Sequence, residues 1–230
     1  RQFSNHRWLY PLMERRADVV VCLTRGDAKN YSRTKRVEVI PNFVTSIPRS
    51  SCERENRCLF VGRLCPEKDP LRLLCLWKEI VGRHPSWKLD ICGEGELDKE
   101  VRAEIVRLSI EDSVQMHGHV SDVSRMYAQR AMLLLCSLTE GLPMVLIEAM
   151  RNALPVVSTD CSYGPADIVK DGENGFLVPQ DDDDAFVDAV SVLIGDDMMR
   201  KEMGRKALET SAWFSREVII RRWIELFVKR

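Results

Sequence analysis

No stretch of this 230-residue chain approaches the ~18–20 consecutive apolar residues that a membrane-spanning helix needs. Neither charge prevails: 34 basic residues against 35 acidic ones leave a net charge of −1, and nothing in that balance calls for nucleic acid as a bulk electrostatic partner. The chain opens on Arg1 with no charged-then-apolar leader, so it reads as a fragment or processed piece without a signal peptide. There is no Cys-x-x-Cys pair among the eight cysteines. Cys22, Cys58, Cys92 and Cys136 fall in or beside apolar strand-like runs and Cys75 on a helix face, the placement of free thiols used as small hydrophobes. A chain of this size needs no disulfide stapling, and a reduced, cytoplasmic compartment is expected.

What the sequence does contain is a 45% hydrophobic content, enough for a full core, and a regular alternation of two patterns. Short apolar runs predict strands over Arg57–Leu64, Trp87–Cys92, Val114–Gly118, Ala131–Ser137, Pro155–Thr159 and Gly175–Pro179. Helical patterns lie between them at Pro70–Gly82, Leu97–Ser109, Val123–Arg130, Pro143–Asn152 and Pro165–Lys170. Strands that are apolar on both sides and joined by helices imply an α/β, doubly wound parallel sheet. Two further helices are expected over Met198–Ala212 and Ser215–Arg230. The chain before Arg57 differs. Ala17–Thr24 and Val37–Ile40 read as strands that cannot close a domain alone, followed by a polar connection containing Pro48. The expected organisation is residues 1–42 as the tail of a domain whose body lies upstream, 43–56 as a linker, 57–212 as a Rossmann-like domain and 213–230 as a C-terminal helix.

Four constellations carry chemistry. In Glu140-Gly141-Leu142-Pro143-Met144-Val145-Leu146-Ile147-Glu148, two carboxylates flank a turn directly after the apolar run Met132–Cys136, and Pro143 is placed at the first helical position. Glu140 then lies at the mouth of a strand and Glu148 about one helical turn further in. In an open α/β sheet that mouth is where ligands bind, and two acids there suit a ligand rich in hydroxyls, a sugar or a ribose. Arg63 and Lys68 follow Gly62 on the loop after the strand Cys58-Leu59-Phe60-Val61, where they can converge on one anion. Gly93-Glu94-Gly95 also follows a strand but does not complete G-x-G-x-x-G, so a dinucleotide fingerprint fails there. His117-Gly118-His119 has no third ligand at metal spacing and reads as a strand-end turn. Asp181 to Asp184 read as an acidic helix start, with a divalent-metal site as the sharper alternative.

Taken in order, Glu140-x7-Glu148, Arg63-x4-Lys68, Gly93-x-Gly95 and the stretch from Gly164-Pro165 to Gly175-Phe176-Leu177-Val178 resemble the C-terminal half of the retaining GT-B glycosyltransferases, the glycosyltransferase-4 or "group 1" set. The resemblance spans roughly Val19 to Ala212. It implies a nucleotide-sugar donor, UDP- or GDP-linked, with no metal or other cofactor. It assigns Arg63 and Lys68 to the donor diphosphate, Glu140 to the donor sugar, Glu148 to the ribose hydroxyls and Val120 to backbone contact with the base. Backbone N–H groups around Leu142 to Val145 would meet sugar or phosphate, with Gly141, Leu142, Pro143 and Met144 all in the donor-contacting stretch. Glu140, Arg63 and Lys68 are thereby the catalytic candidates, acting by position and charge. The acceptor, a glycan or lipid-linked saccharide, would bind an upstream domain or partner chain, for which His6 is too isolated to stand in. A catalytically silent nucleotide-sugar-binding module that works with a partner chain is the alternative reading. The aromatic and basic C-terminus (Trp213, Phe214, Trp223, Phe227, Arg221, Arg222, Lys229) reads either as a helix docking back on the missing domain or as a peripheral membrane contact.

Overall fold

A computed structural model describes residues 9–45 and 53–228. His6, Pro48, Lys229 and Arg230 lie outside the described residues. The main sheet has six strands: β3 (Arg57–Val61), β4 (Lys88–Cys92), β5 (Val114–Gly118), β6 (Met132–Leu135), β7 (Val156–Asp160) and β8 (Gly175–Pro179). Every pairing is parallel, in the order β5-β4-β3-β6-β7-β8. Counted from β3 this is 3-2-1-4-5-6, the doubly wound order whose direction reverses between its first and fourth strands. The reversal falls between β3 and β6, paired through Cys58 with Met132 and Leu59 with Leu133.

The helices between these strands cover both faces. On one side lie α3 (Pro70–Arg83), α4 (Asp98–Arg107) and α8 (Asp183–Gly195). Leu73, Leu76, Trp77 and Ile80 of α3 recur at helical spacing and pack with Phe60, Ile91, Leu134, Phe186 and Val190. On the other side lie α5 (Ser124–Gln129), α6 (Met144–Arg151), α7 (Pro165–Ile168) and α9 (Asp197–Ser211). There Tyr127, Leu146, Ile147 and Met150 pack against Leu59, Leu133 and Leu135. Alternate residues of each central strand thus feed opposite cores, which is why those strands read as continuous apolar runs rather than as alternating ones.

Several helix starts are fixed by side chains. Asp69 Oδ1 accepts from the Arg72 amide ahead of α3, and Asp182 Oδ1 accepts from the Ala185 amide at 2.9 Å ahead of α8. The Asp181–Asp184 run is therefore a helix cap. Among the described residues no group of three or more His, Cys, Asp or Glu is placed to hold a metal.

The chain before the main sheet forms α1 (Tyr10–Arg16), β1 (Val20–Cys22), α2 (Arg25–Ala28) and β2 (Val37–Val39), with β1 and β2 pairing in parallel. β1 is shorter than Ala17–Thr24 because Thr24 leaves the strand to cap α2, its hydroxyl accepting from the Asp27 amide. This unit contacts the main domain. Asp167 accepts from the Arg25 amide at 3.0 Å, and the Tyr163 hydroxyl accepts from Asn30 Nδ2 at 3.0 Å. Its connection onward is not free polar chain throughout: the buried Val44 donates its amide to the Phe214 carbonyl. At the other end, α10 (Arg216–Val228) buries Ile219 and leaves Trp223 and Phe227 exposed, their rings stacked at 5.9 Å. No helix among the described residues is long and apolar enough to cross a membrane.

Candidate functional site

The carboxyl ends of β3 and β6 release two loops into the crevice where the strand order reverses, the place in such sheets where ligands bind. From β3 comes Gly62-Arg63-Leu64, then a 3-10 turn over Pro66–Lys68. From β6 comes Cys136-Ser137-Leu138-Thr139-Glu140. The loops meet at Lys68 and Glu140, whose Nζ and Oε1 are 2.5 Å apart with side chains only 21% and 8% exposed. Ser137 Oγ donates to the same Glu140 oxygen at 2.7 Å. A cation expected on phosphate and an acid expected on sugar thus hold each other across the switch point. Burial, followed by the nearby Glu140 carboxylate, pushes the Cys161 thiol beneath this pair up to about 11.

Arg63 does not join that pair. It is exposed and makes no ion pair among the described residues. The expected convergence of Arg63 and Lys68 on one point is not a feature of this conformation, because Lys68 is engaged by Glu140.

The glycine pair after β4 turns out to be a close approach between loops. A Cβ on Gly93, whose φ is +150°, would sit 1.8 Å from the Gly62 carbonyl oxygen. One on Gly95 would sit 2.2 Å from that of Leu64. Two amides complete the seam, Leu64 N to Glu94 O at 3.0 Å and Leu97 N to Leu64 O at 3.1 Å. Glycine here lets the loop after β4 clamp the loop that carries Arg63.

Past Glu140 the chain turns through Gly141 and Leu142 into α6. Pro143 is the residue before the helix rather than its first residue, with ψ 91° outside the helical range and no side-chain cap. Leu146 N donates back to Pro143 O at 3.0 Å, while the amides of Met144 and Val145 belong to a first turn with no intrahelical acceptor. An uncapped helix start at a strand mouth is suited to an anion. The turn is braced from beneath: a Cβ on Gly164 would lie 2.5 Å from Pro143 Cδ, and the Glu140 amide faces Ser162 O at 3.4 Å. Glu148 lies on α6, half-buried, accepting from the Tyr127 hydroxyl at 2.8 Å. Val120 is partly buried at the edge of the core that holds Tyr127 and Leu146.

Sequence reasoning did not find Ser137, Tyr127, Arg54 or Asp90. Asp90, fully buried on β4, accepts from Arg57 Nε at 2.6 Å, from Arg130 Nε at 2.5 Å, and lies 2.7 Å from His117 Nε2. His117 is therefore a partner of Asp90. The carboxylate of Asp90, set between Leu89 and Ile91 in the strand-like run Trp87–Cys92, was the signal available for this cluster. Arg54 donates to the carbonyls of Tyr127, Arg130, Asn152 and Ala153. A separate cavity of about 720 Å³ opens at the other end of the sheet, beside Asn56, Ala131 and Pro155, where Asp197 already pairs with Arg200 and Lys201.

With this geometry in view, the comparisons with known proteins are decisive for family. Residues 47–210 match the family model described as glycosyl transferases group 1. The chain belongs to the glycosyl transferases group 1 family. An amylovoran biosynthesis glycosyltransferase, AmsD, of Erwinia amylovora is 34% identical over 222 residues, covering 91% of this chain and 62% of the relative. A Campylobacter jejuni alpha-1,4-N-acetyl-D-galactosaminyltransferase, named for an undecaprenol-diphosphate-linked saccharide, is 32% identical over 92% of this chain and 60% of its own length. Among solved structures, S. aureus TarM in complex with fondaparinux, alpha-GlcNAc-glycerol and UDP superposes with a TM-score of 0.89 at 25% identity, covering 98% of this chain and 47% of TarM. The GT-B reading of the fold holds, and this group 1 chain spans about half to three fifths of the length of these three relatives.

Proposed function

We propose that this chain is the donor-binding half of a retaining glycosyltransferase, moving a sugar from a UDP-linked donor to a polysaccharide or lipid-linked acceptor. The observation that carries the reading is the Lys68–Glu140 contact at the β3/β6 switch point, beside the uncapped start of α6. The names of the E. amylovora and C. jejuni relatives support synthesis of a polysaccharide or lipid-linked saccharide, and the UDP bound to TarM favours UDP over GDP.

On this reading the donor diphosphate takes Lys68 and Arg63, with the Met144 and Val145 amides completing its shell. Fixed cations and a helix start aimed at the leaving oxygens stabilise the negative charge that develops as the sugar departs. Glu140, its carboxylate still held by Ser137, exchanges Lys68 for the hydroxyls of the donor sugar. Glu148 takes the ribose. The leaving phosphate assists deprotonation of the acceptor on the retained face, with Glu140 as a positioning group. The acceptor wall belongs to the upstream domain or a partner chain, the reaction to the cytoplasmic side of the membrane, and the exposed Trp223 and Phe227 to docking there or at the lipid surface.

The chain's limited share of its relatives' length favours one alternative, a nucleotide-sugar-binding module that is silent without a partner chain. Calorimetry with UDP and UDP-sugars, followed by product analysis with lipid-linked acceptors, separates the two. Binding with transfer supports the enzyme, and binding with neither transfer nor donor hydrolysis supports the module. Unchanged UDP binding in both Arg63→Ala and Glu148→Ala would sink the donor-site reading itself.

A further inference from the structure

Tyr127 is fully buried, yet its hydroxyl reaches the half-buried Glu148 and donates to Oε2 at 2.8 Å. Burial, then the Glu148 charge, holds the phenol well above its ordinary value, so it stays a donor throughout the working pH range. The other carboxylate oxygen of Glu148 accepts from no donor among the described residues. One oxygen is occupied from the core side and one is left as an acceptor.

The two residues are held by the same scaffold. Arg54 donates through Nη1 to the Tyr127 carbonyl at 3.0 Å and through Nη2 to the Asn152 carbonyl at 2.6 Å. Asn152 in turn donates Nδ2 to the Glu148 carbonyl at 2.9 Å. Just beyond Tyr127, Arg130 is tied to the buried Asp90 at 2.5 Å. A single guanidinium therefore ties α5 to the C-terminal end of α6, the two helices that carry the phenol and the carboxylate. Tyr127 itself belongs to the buried cluster that contains Cys92, Leu146 and Ile147.

We infer that Tyr127 is a positioning residue that locks the Glu148 carboxylate with one oxygen free, and so sets discrimination for a ribose over a 2′-deoxyribose in the bound nucleotide. This rests on the donor-site reading above. A glutamate on a helix face ordinarily loses rotamer freedom on binding a ligand, and the Tyr127 bond removes that cost in advance. A pre-set acceptor rewards a ribose hydroxyl; a freely turning one rewards it less.

The test is calorimetry of UDP and 2′-deoxy-UDP with the full chain, as wild type, Tyr127→Phe, Glu148→Gln and the double variant, with folding checked by circular dichroism. The expected result is a loss of UDP affinity of about tenfold in Tyr127→Phe, the scale of one hydrogen bond to a charged group. Affinity for 2′-deoxy-UDP should change far less, so the ratio between the two nucleotides shrinks. The double variant should be no weaker than Glu148→Gln alone. If Glu148→Gln loses discrimination and Tyr127→Phe keeps it, the inference falls and the donor site stands. Equal weakening of both nucleotides by Tyr127→Phe marks a packing role and also overturns it. Absence of UDP binding by the wild type, or indifference of UDP to Glu148→Gln, removes the donor-site reading instead, and this inference with it. Tyr127→Met is a second hydroxyl-free variant should Phe fail to fold; failure of both makes Tyr127 structural and refutes the proposal.

Discussion

Replacing Asp90 with Asn tests how the floor of the site is held up. The carboxylate has no exposure, and the side chains it joins, Arg57, Arg130 and His117, are 18%, 9% and 22% exposed. Two of these are permanent cations that would lose their buried counter-charge, leaving Arg57 with Gln115 and Arg130 with the half-exposed Glu55. Removing one member of a buried charge cluster costs about 3–5 kcal/mol. For a chain of this size that lowers the melting temperature by roughly 10 °C. The assay is guanidinium or thermal unfolding of wild type and Asp90→Asn side by side. The pH dependence supplies a second reading. Burial by itself would raise the Asp90 carboxyl, but hydrogen bonds from Arg57 and His117, with the charges of Arg130 and Arg57, outweigh it and hold it below its ordinary value. A carboxyl depressed on folding contributes stability above its unfolded value, about 3.9, and loses it as pH falls through its lower folded value. The gap between wild type and Asp90→Asn should therefore be full at neutral pH and close below about pH 4. A loss under about 1 kcal/mol at pH 7, or a gap that does not narrow in acid, would refute the assignment of Asp90 as the charge that anchors β3, β5 and the end of α5.

Two further outcomes follow from the same geometry. Gly95→Ala places a Cβ against the Leu64 carbonyl and should cost about 1–3 kcal/mol by overpacking while weakening UDP binding through the displaced Arg63 loop; unchanged unfolding and unchanged UDP affinity would count against the loop-clamp account. Cys75, exposed on α3, should react with a thiol reagent under native conditions well before Cys92, Cys136 or Cys161, whose thiols burial pushes up to about 11, about 12 and about 11; mass-mapped labelling of Cys161 at the rate of Cys75 would contradict the packing around Glu140.

Much of the sheet was legible because its central strands are buried on both faces, which writes them as uninterrupted apolar runs such as Met132–Leu135. Arg63 and Glu140 stood out as candidates for a related reason, since each lies within a few residues of the end of such a run. What could not be read was partnership. Nothing local to Lys68 announces Glu140, which is 72 positions away. Tyr127 looks like one more apolar residue of a short helix until its hydroxyl is placed. Arg54 fell within a stretch read as linker, yet it binds four carbonyls of two helices and their ends. Gly93 and Gly95 read as a weak turn because the contact that demands them is with Gly62 and Leu64, on another strand's loop. Pro143 shifted by one position because the backbone angle before α6 remains extended.

The pairing of β3 directly with β6 also bears on how this chain reaches its native state. The strands that follow β3 in sequence are laid outboard of it, and the strand that completes its inner edge arrives only after β4 and β5 are made. The Lys68–Glu140 station is thus a long-range contact that joins two halves of the sheet, each continuous in sequence. A bound nucleotide would bridge that seam. It should slow the parting of the two halves far more than the fraying of either edge, making ligand-dependent hydrogen exchange at β3 and β6 a direct gauge of when the molecule becomes whole.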